Sequence, residues 1–238
     1  MDQIQMTPQS ALAPGVAVSA ERVTAFLRKV YGWMFVGLGL TAAVALGVAG
    51  SPTLVQAIFR NRILFFGLMI AELGLVFYLS ARVNKLASGT AAGLFLAYSA
   101  LNGATLSIIL LAYTGTSIAT TFIVTAGMFG ALAVYGTVTK RSLAGVGQFV
   151  FMGLIGVVIA SIVGMFWKSQ ALQFVISIVG VIVFTGLTAW DAQRLKAMAV
   201  TVPEERYGAY SVVGALALYL DFINLFLFLL RFMGGRRD

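Results

Sequence analysis

Of the eight acidic residues in this chain, three stand where water is not expected. Asp2, Glu21, Glu204, Glu205 and Asp238 fall in tails or a loop, whereas Glu72, Asp191 and Asp221 interrupt apolar stretches. A charged side chain near the centre of a bilayer costs roughly 2.5–3.5 kcal/mol on insertion scales, so such residues usually face a bundle interior and carry function. Asp221 lies deep within Ala-Leu-Tyr-Leu-Asp-Phe-Ile-Asn-Leu-Phe-Leu-Phe. Asp191 is followed at once by Gln193, Arg194 and Lys196, which leaves open whether it lies inside a span or at an interface. If the two meet, they cannot both ionise cheaply in a low dielectric and would share one proton. The shared proton holds the pair together, and its loss pushes the pair apart. That is a pH-sensitive latch in a chain without histidine, the side chain that ordinarily titrates near neutrality.

The chain also lacks cysteine, which excludes disulfides, thiol nucleophiles and zinc sites built on His or Cys. Two carboxylates with backbone carbonyls and waters could hold calcium transiently, because that hard ion takes several oxygen ligands. No other metal or cofactor is expected. The same two aspartates could in principle serve an intramembrane protease as general acid and base. Such enzymes carry Gly-x-Gly-Asp at the second aspartate and a Pro-Ala-Leu motif beyond it. This chain has Leu-Tyr-Leu-Asp and neither motif, so it reads as a non-enzyme.

Two arginines are spaced as possible partners. Glu72 and Arg82 are ten residues apart, as are Asp221 and Arg231. On a helix that spacing keeps both members on one stripe, which in the last segment reads Asp221, Asn224, Phe228, Arg231. Ten residues cover ~15 Å, so in antiparallel helices Arg82 could face the aspartates while Glu72 faces Arg231. The competing expectation is that both arginines only reach to opposite interfaces. Tyr98, Ser99, Asn102 and Ser107 either line a polar path or tie helices together. Gly153, Gly156 and Gly164 read as close-packing sites.

The elements that must position these residues are transmembrane helices. Sixty per cent of the residues are apolar and ten per cent charged, more apolar surface than a soluble domain of this length can hide. Seven segments can cross a ~30 Å hydrocarbon core: Tyr31–Gly50, Ile63–Ser80, Gly89–Tyr113, Ser117–Val138, Val146–Trp167, Ala171–Trp190 and Ala209–Phe232. Residues 1–28 read as a flexible cytoplasmic tail, too long and mixed for a signal peptide. Residues 29–238 form one all-α domain with short connections. The net charge of +8 is dispersed between spans and encodes topology, not nucleic-acid binding. With the N-terminus inside, Arg22, Arg28, Lys29, Arg82, Lys85, Lys140, Arg141, Arg194, Lys196 and Arg206 lie on the cytoplasmic side. Arg60, Arg62, Lys168, Arg231, Arg236 and Arg237 lie opposite, so ten face six and the N-terminus is expected inside. A last segment that turned back would make the ratio thirteen to three, but its length favours a full crossing.

Residues 217–231, ending Phe-Leu-Leu-Arg, resemble the final-helix signature of the Bax-inhibitor family, the transmembrane Bax inhibitor motif proteins. Thr-Gly-Leu-Thr-Ala-Trp-Asp-Ala-Gln-Arg at 185–194 resembles the family's sixth-helix motif, which usually has Tyr in place of Trp190. Leu-Asn-Gly at 101–103 and the seven-span layout extend the likeness. The resemblance implies an integral bundle of six helices around a central seventh, in a bacterial inner membrane. It implies that Asp191 and Asp221 act as a proton-sensitive gate with Arg82 as counter-charge, and that Glu72 and Arg231 form a second ionic contact. The implied activity is a calcium leak, with lipid, calcium ions and protons as partners. A non-transporting regulator of other membrane proteins, such as a membrane-anchored ATP-dependent protease, is the alternative the family suggests.

Overall fold

The structure, a computed structural model, describes residues 14–238 apart from Lys168, Arg236 and Asp238. The described residues form eight α-helices and one short 3-10 turn. The helices are α1 (Pro14–Ala49), α2 (Pro52–Arg60), α3 (Arg62–Arg82), α4 (Ser88–Ala112), α5 (Gly115–Val138), α6 (Ala144–Phe166), α7 (Gln170–Thr201) and α8 (Tyr207–Met233). All but α2 are long and apolar enough to cross a membrane. At nine residues α2 reaches only ~13 Å. Its start is set by Ser51, whose hydroxyl accepts from the Leu54 amide with Pro52 in the first turn, and its end by Asn61, which caps α3 in turn. The sequence pattern places only a connection here.

Two expected boundaries are corrected. Residues 14–28, expected in the flexible tail, belong to α1, where Phe26 and Val30 are buried; residues 1–13 lie outside the described residues. The Phe26 ring meets Tyr207 edge-on at 5.0 Å, an apolar anchor that holds this end of α1 against the start of α8. The sixth span does not stop at Trp190 but continues to Thr201. Its polar residues are satisfied by neighbours: Lys196 Nζ donates to the Thr137 carbonyl, and Gln193 bonds both the Leu143 amide and the Arg141 carbonyl. Polar residues therefore extend α7 along the α5–α6 connection instead of ending it.

Helix α8 is the axis of the bundle. It packs against α1, α4, α5 and α7, and most of its span is buried, against very little of α3. Its first turn lies beside Arg22 and Asn84, through the Tyr207 and Tyr210 hydroxyls. Its far end lies beside the α4–α5 connection, where the Gly235 carbonyl accepts from Thr114 and the Arg237 amide donates to Ala112. The last helix thus runs the full height of the bundle and does not turn back. Helix α6 leans on α7, and α3 on α4. The lipid-facing sides of α3 and α6 carry large exposed apolar residues such as Ile63, Phe77, Phe149 and Ile159.

Lipid tails are as apolar as the helix faces, so association rests on close van der Waals approach and interhelical hydrogen bonds. Glycines permit that approach. A Cβ on Gly103 would stand 2.6 Å from the Thr41 carbonyl oxygen, and one on Gly136 would collide with the Ala189 carbonyl. Gly153 and Gly164 are close-packed against Val183 and Gln173, as expected, whereas Gly156 faces open space. Gly103→Ala should therefore lower stability by about 1–3 kcal/mol, because α1 and α4 must separate. Gly93→Ala, on the same helix with nothing near its added Cβ, should be neutral or stabilising by up to ~1 kcal/mol. Thermal melts of the two variants in detergent distinguish the cases.

Candidate functional site

Asp191 lies ten residues before the end of α7 and Asp221 fourteen after the start of α8. At the helical rise these are ~15 Å and ~21 Å from the connection joining the two helices. The helices pack side by side, so the two aspartates lie on neighbouring helices about 6 Å apart in depth. Asp221 is 4% exposed, and its Oδ2 is buried without a hydrogen-bond partner. An orphaned carboxyl oxygen at such depth costs several kcal/mol unless something reaches it, and the candidates are a proton or a passing cation.

The charge beside Asp191 is not the expected one. Arg194 Nη1 stands 4.0 Å from Asp191 Oδ1, the one ion pair among the described residues, and the Arg194 guanidinium lies over the Trp190 ring at 5.6 Å. Arg194 is 60% exposed, so this is a loose, solvent-side contact. Arg82 is exposed at the end of α3 and lies over its own Tyr78 ring, forming no ion pair with either aspartate. The expected second contact is corrected too. Glu72 accepts from Thr105 Oγ1 at 2.9 Å and Asn102 Nδ2 at 3.3 Å, whereas Arg231 donates to Gln173 Oε1 at 3.3 Å and lies over Phe228. Equal spacing put each residue on a stripe, but α3 docks on α4 and barely touches α8, so the two stripes never face each other.

Glu72 instead begins a polar chain through the bundle. The Tyr219 hydroxyl lies 3.0 Å from Asn102 Oδ1 and 2.6 Å from Thr41 Oγ1, and Thr41 Oγ1 lies 2.9 Å from the Ser99 carbonyl oxygen, so two hydroxyl protons are shared over three contacts. Four helices are joined through one tyrosine two residues from Asp221. Of the polar residues expected on α4, Asn102 ties helices together, whereas the buried Ser99 and Ser107 hydroxyls donate to carbonyls of their own helix, at Phe95 and Ala104. Sequence reasoning missed Tyr219, Thr41 and Thr105. The three-residue spacing from Asn102 to Thr105 was the one available signal.

Cavities approach the aspartates from both ends. One of about 250 Å³ lies at the end of the bundle where α7 stops and α8 begins, with Asp191, Arg194, Ser80 and Tyr210 in its wall. From the opposite end, a cavity of about 740 Å³ at Arg231 and Gln173 adjoins another of about 500 Å³ that reaches Asn224, one turn beyond Asp221. Asp221 lines neither.

Comparison with known proteins agrees with this architecture. The family model described as "Inhibitor of apoptosis-promoting Bax1" matches residues 23–238. The chain belongs to the Bax inhibitor family. The "Inner membrane protein YbhL" of Escherichia coli K12 is 53% identical over 215 residues, covering 89% of this chain and 92% of that relative. An uncharacterized protein from Borreliella burgdorferi is 46% identical, covering 90% and 93% of the two chains. One from Deinococcus radiodurans is 42% identical over 239 residues, covering 100% and 98%. None of these names states an enzymatic activity. The family match includes α1 from its buried stretch onward, consistent with residues 23–28 being part of the folded bundle.

Removing the Tyr219 hydroxyl leaves Asn102 Oδ1 without its donor. Tyr219→Phe should cost about 1 kcal/mol, and Thr41→Val combined with it should cost less than the sum of the two, since both act on one hydrogen bond. Stability measurements on the single and double variants test the coupling. Exchanging charges through Glu72→Arg with Arg231→Glu should rescue neither single reversal, because the two side chains have different partners; a stability gain in the double variant would show that they meet.

Proposed function

We propose that this family member is a pH-sensitive membrane leak for calcium, gated by Asp191 and Asp221, in a bacterial inner membrane with its N-terminus in the cytoplasm. The observation that carries the reading is the orphaned Oδ2 of Asp221 on the central helix, beside an aspartate that lines a cavity. Cavities from opposite ends stop on either side of the pair, so a small separation of α7 from α8 would connect them. With one proton between them, the carboxyls need no separation. With none, mutual repulsion in a low dielectric favours moving apart. Two carboxylates with nearby carbonyls and waters suit a calcium ion in passage, fewer fixed ligands than a resident ion requires. The side assignment rests on the basic residues gathered at the end holding the α3–α4, α5–α6 and α7–α8 connections.

Calcium flux into liposomes, measured across pH, tests the gate. Flux through the unmodified protein should rise with pH as the shared proton is lost. Asp221→Asn leaves one ionisable group at the pair, so no like-charge repulsion develops and the pH dependence should flatten. Asp191→Asn should flatten it likewise. Equal pH profiles for all three proteins, each shown folded by its melting temperature, would sink the gate.

A further inference from the structure

The two cavities beyond Asn224 have a feature the leak does not use. Helices α6 and α8 both lean on α7 and stay apart from each other, leaving a groove between them. Its deep part is lined by Leu154, Val157, Val158 and Ile162 of α6 against Phe184 and Phe228. Those faces of α6 border exposed apolar residues, so the groove lies on the lipid-facing side of the bundle. At its upper end it runs into the larger cavity, whose wall carries Arg231, Gln173, Ser169 and Ser177. Arg231 and Gln173 line both parts and join them.

Arg231 has five N–H donors in a planar fork. One hydrogen bond, to the neutral Gln173, is formed, and no acidic partner is present among the described residues. Gln173 is itself held in place, since its Nε2 donates to the Gly164 carbonyl at 3.4 Å. A fixed cation above a narrow apolar groove, at the level where α8 leaves the membrane, matches one class of molecule in shape and charge. We infer that the α6–α8 groove binds an anionic phospholipid, its phosphate on Arg231 and one acyl chain along Val157, Val158 and Phe228. A phosphate accepts two parallel bonds from a guanidinium, as a zwitterionic headgroup also can, but the latter brings its own cation to the same place. Basic pockets between transmembrane helices recognise anionic headgroups on these grounds. The site shares its cavities with the outer approach of the proposed leak, but it is read by lipid retention and melting temperature and so stands or falls without calcium flux.

The full-length protein in detergent, relipidated and read by native mass spectrometry and by melting temperature, tests this. Phosphatidylglycerol should be retained and raise the melting temperature. Diacylglycerol, which lacks the phosphate, and inorganic phosphate, which lacks the chains, should each do neither. Phosphatidylcholine should bind more weakly than phosphatidylglycerol. Arg231→Gln should weaken phosphatidylglycerol binding about tenfold, the worth of a charge-assisted bond. Ser161→Trp, which fills the groove below Arg231, should also displace the lipid while leaving Arg231 intact. Arg62→Gln, an exposed arginine at the same end of the bundle, should change nothing. The inference is overturned if Arg62→Gln weakens binding as much as Arg231→Gln, which would mean diffuse surface charge. Equal stabilisation by inorganic phosphate alone, or by diacylglycerol, overturns it as well.

Discussion

Everything in this bundle depends on a helix whose span is mostly buried inside the protein. α8 passes through the middle of the protein, and hydrocarbon outside the protein offers its polar atoms no partner. Each polar group along it must therefore be met by another helix. The Tyr219 hydroxyl is met twice, by Thr41 and Asn102, and the Asn224 amide by its own backbone at Leu220. Asp221 Oδ2 is the exception. Its lack of a partner contrasts with the tyrosine two residues away, which has polar neighbours on both sides, and it gives the pair with Asp191 its chemical interest.

The same constraint explains how unevenly the remaining helices are held. α1, α4, α5 and α7 surround α8, and glycines bring them to backbone contact, as at Gly103 against Thr41 and Gly136 against Ala189. α3 and α6 sit outside this shell, each supported mainly by one neighbour. Spaces consequently open where the outer helices stand away from α8, at Ser80 and Tyr210 on one end and at Asn224 and Arg231 on the other. Glu72, on the outer helix α3, is tied inward through Asn102 to Tyr219, so a polar chain couples a peripheral helix to the central one. Trp190 packs on Gly147 and under Arg194 beside the first aspartate.

Much of this was legible in the residues alone. Apolar runs of twenty or so residues located all seven spans, because the bilayer tolerates nothing else of that length and composition. The same reasoning ended α7 eleven residues early, since Gln193, Arg194 and Lys196 look interfacial until the α5–α6 connection is seen to receive them. It also began α1 late, because Glu21, Arg22 and Arg28 mask the apolar face formed by Phe26 and Val30. Asp191 and Asp221 were identifiable as rare acids in apolar sequence.

The chain by itself determined that it inserts in a membrane, how many times it crosses, and which acids lie within its spans, because hydrophobicity and helical rise are local quantities that act residue by residue. Which helix sits in the centre and which side chains touch are properties of packing between segments far apart in sequence. A ten-residue spacing places Glu72 and Arg82 on one face of α3, yet only the docking of α3 onto α4 decides that this face meets Asn102 and Thr105 and not Arg231. For the same reason Arg194, one turn along α7, is the charge beside Asp191, while Arg82 remains at the surface.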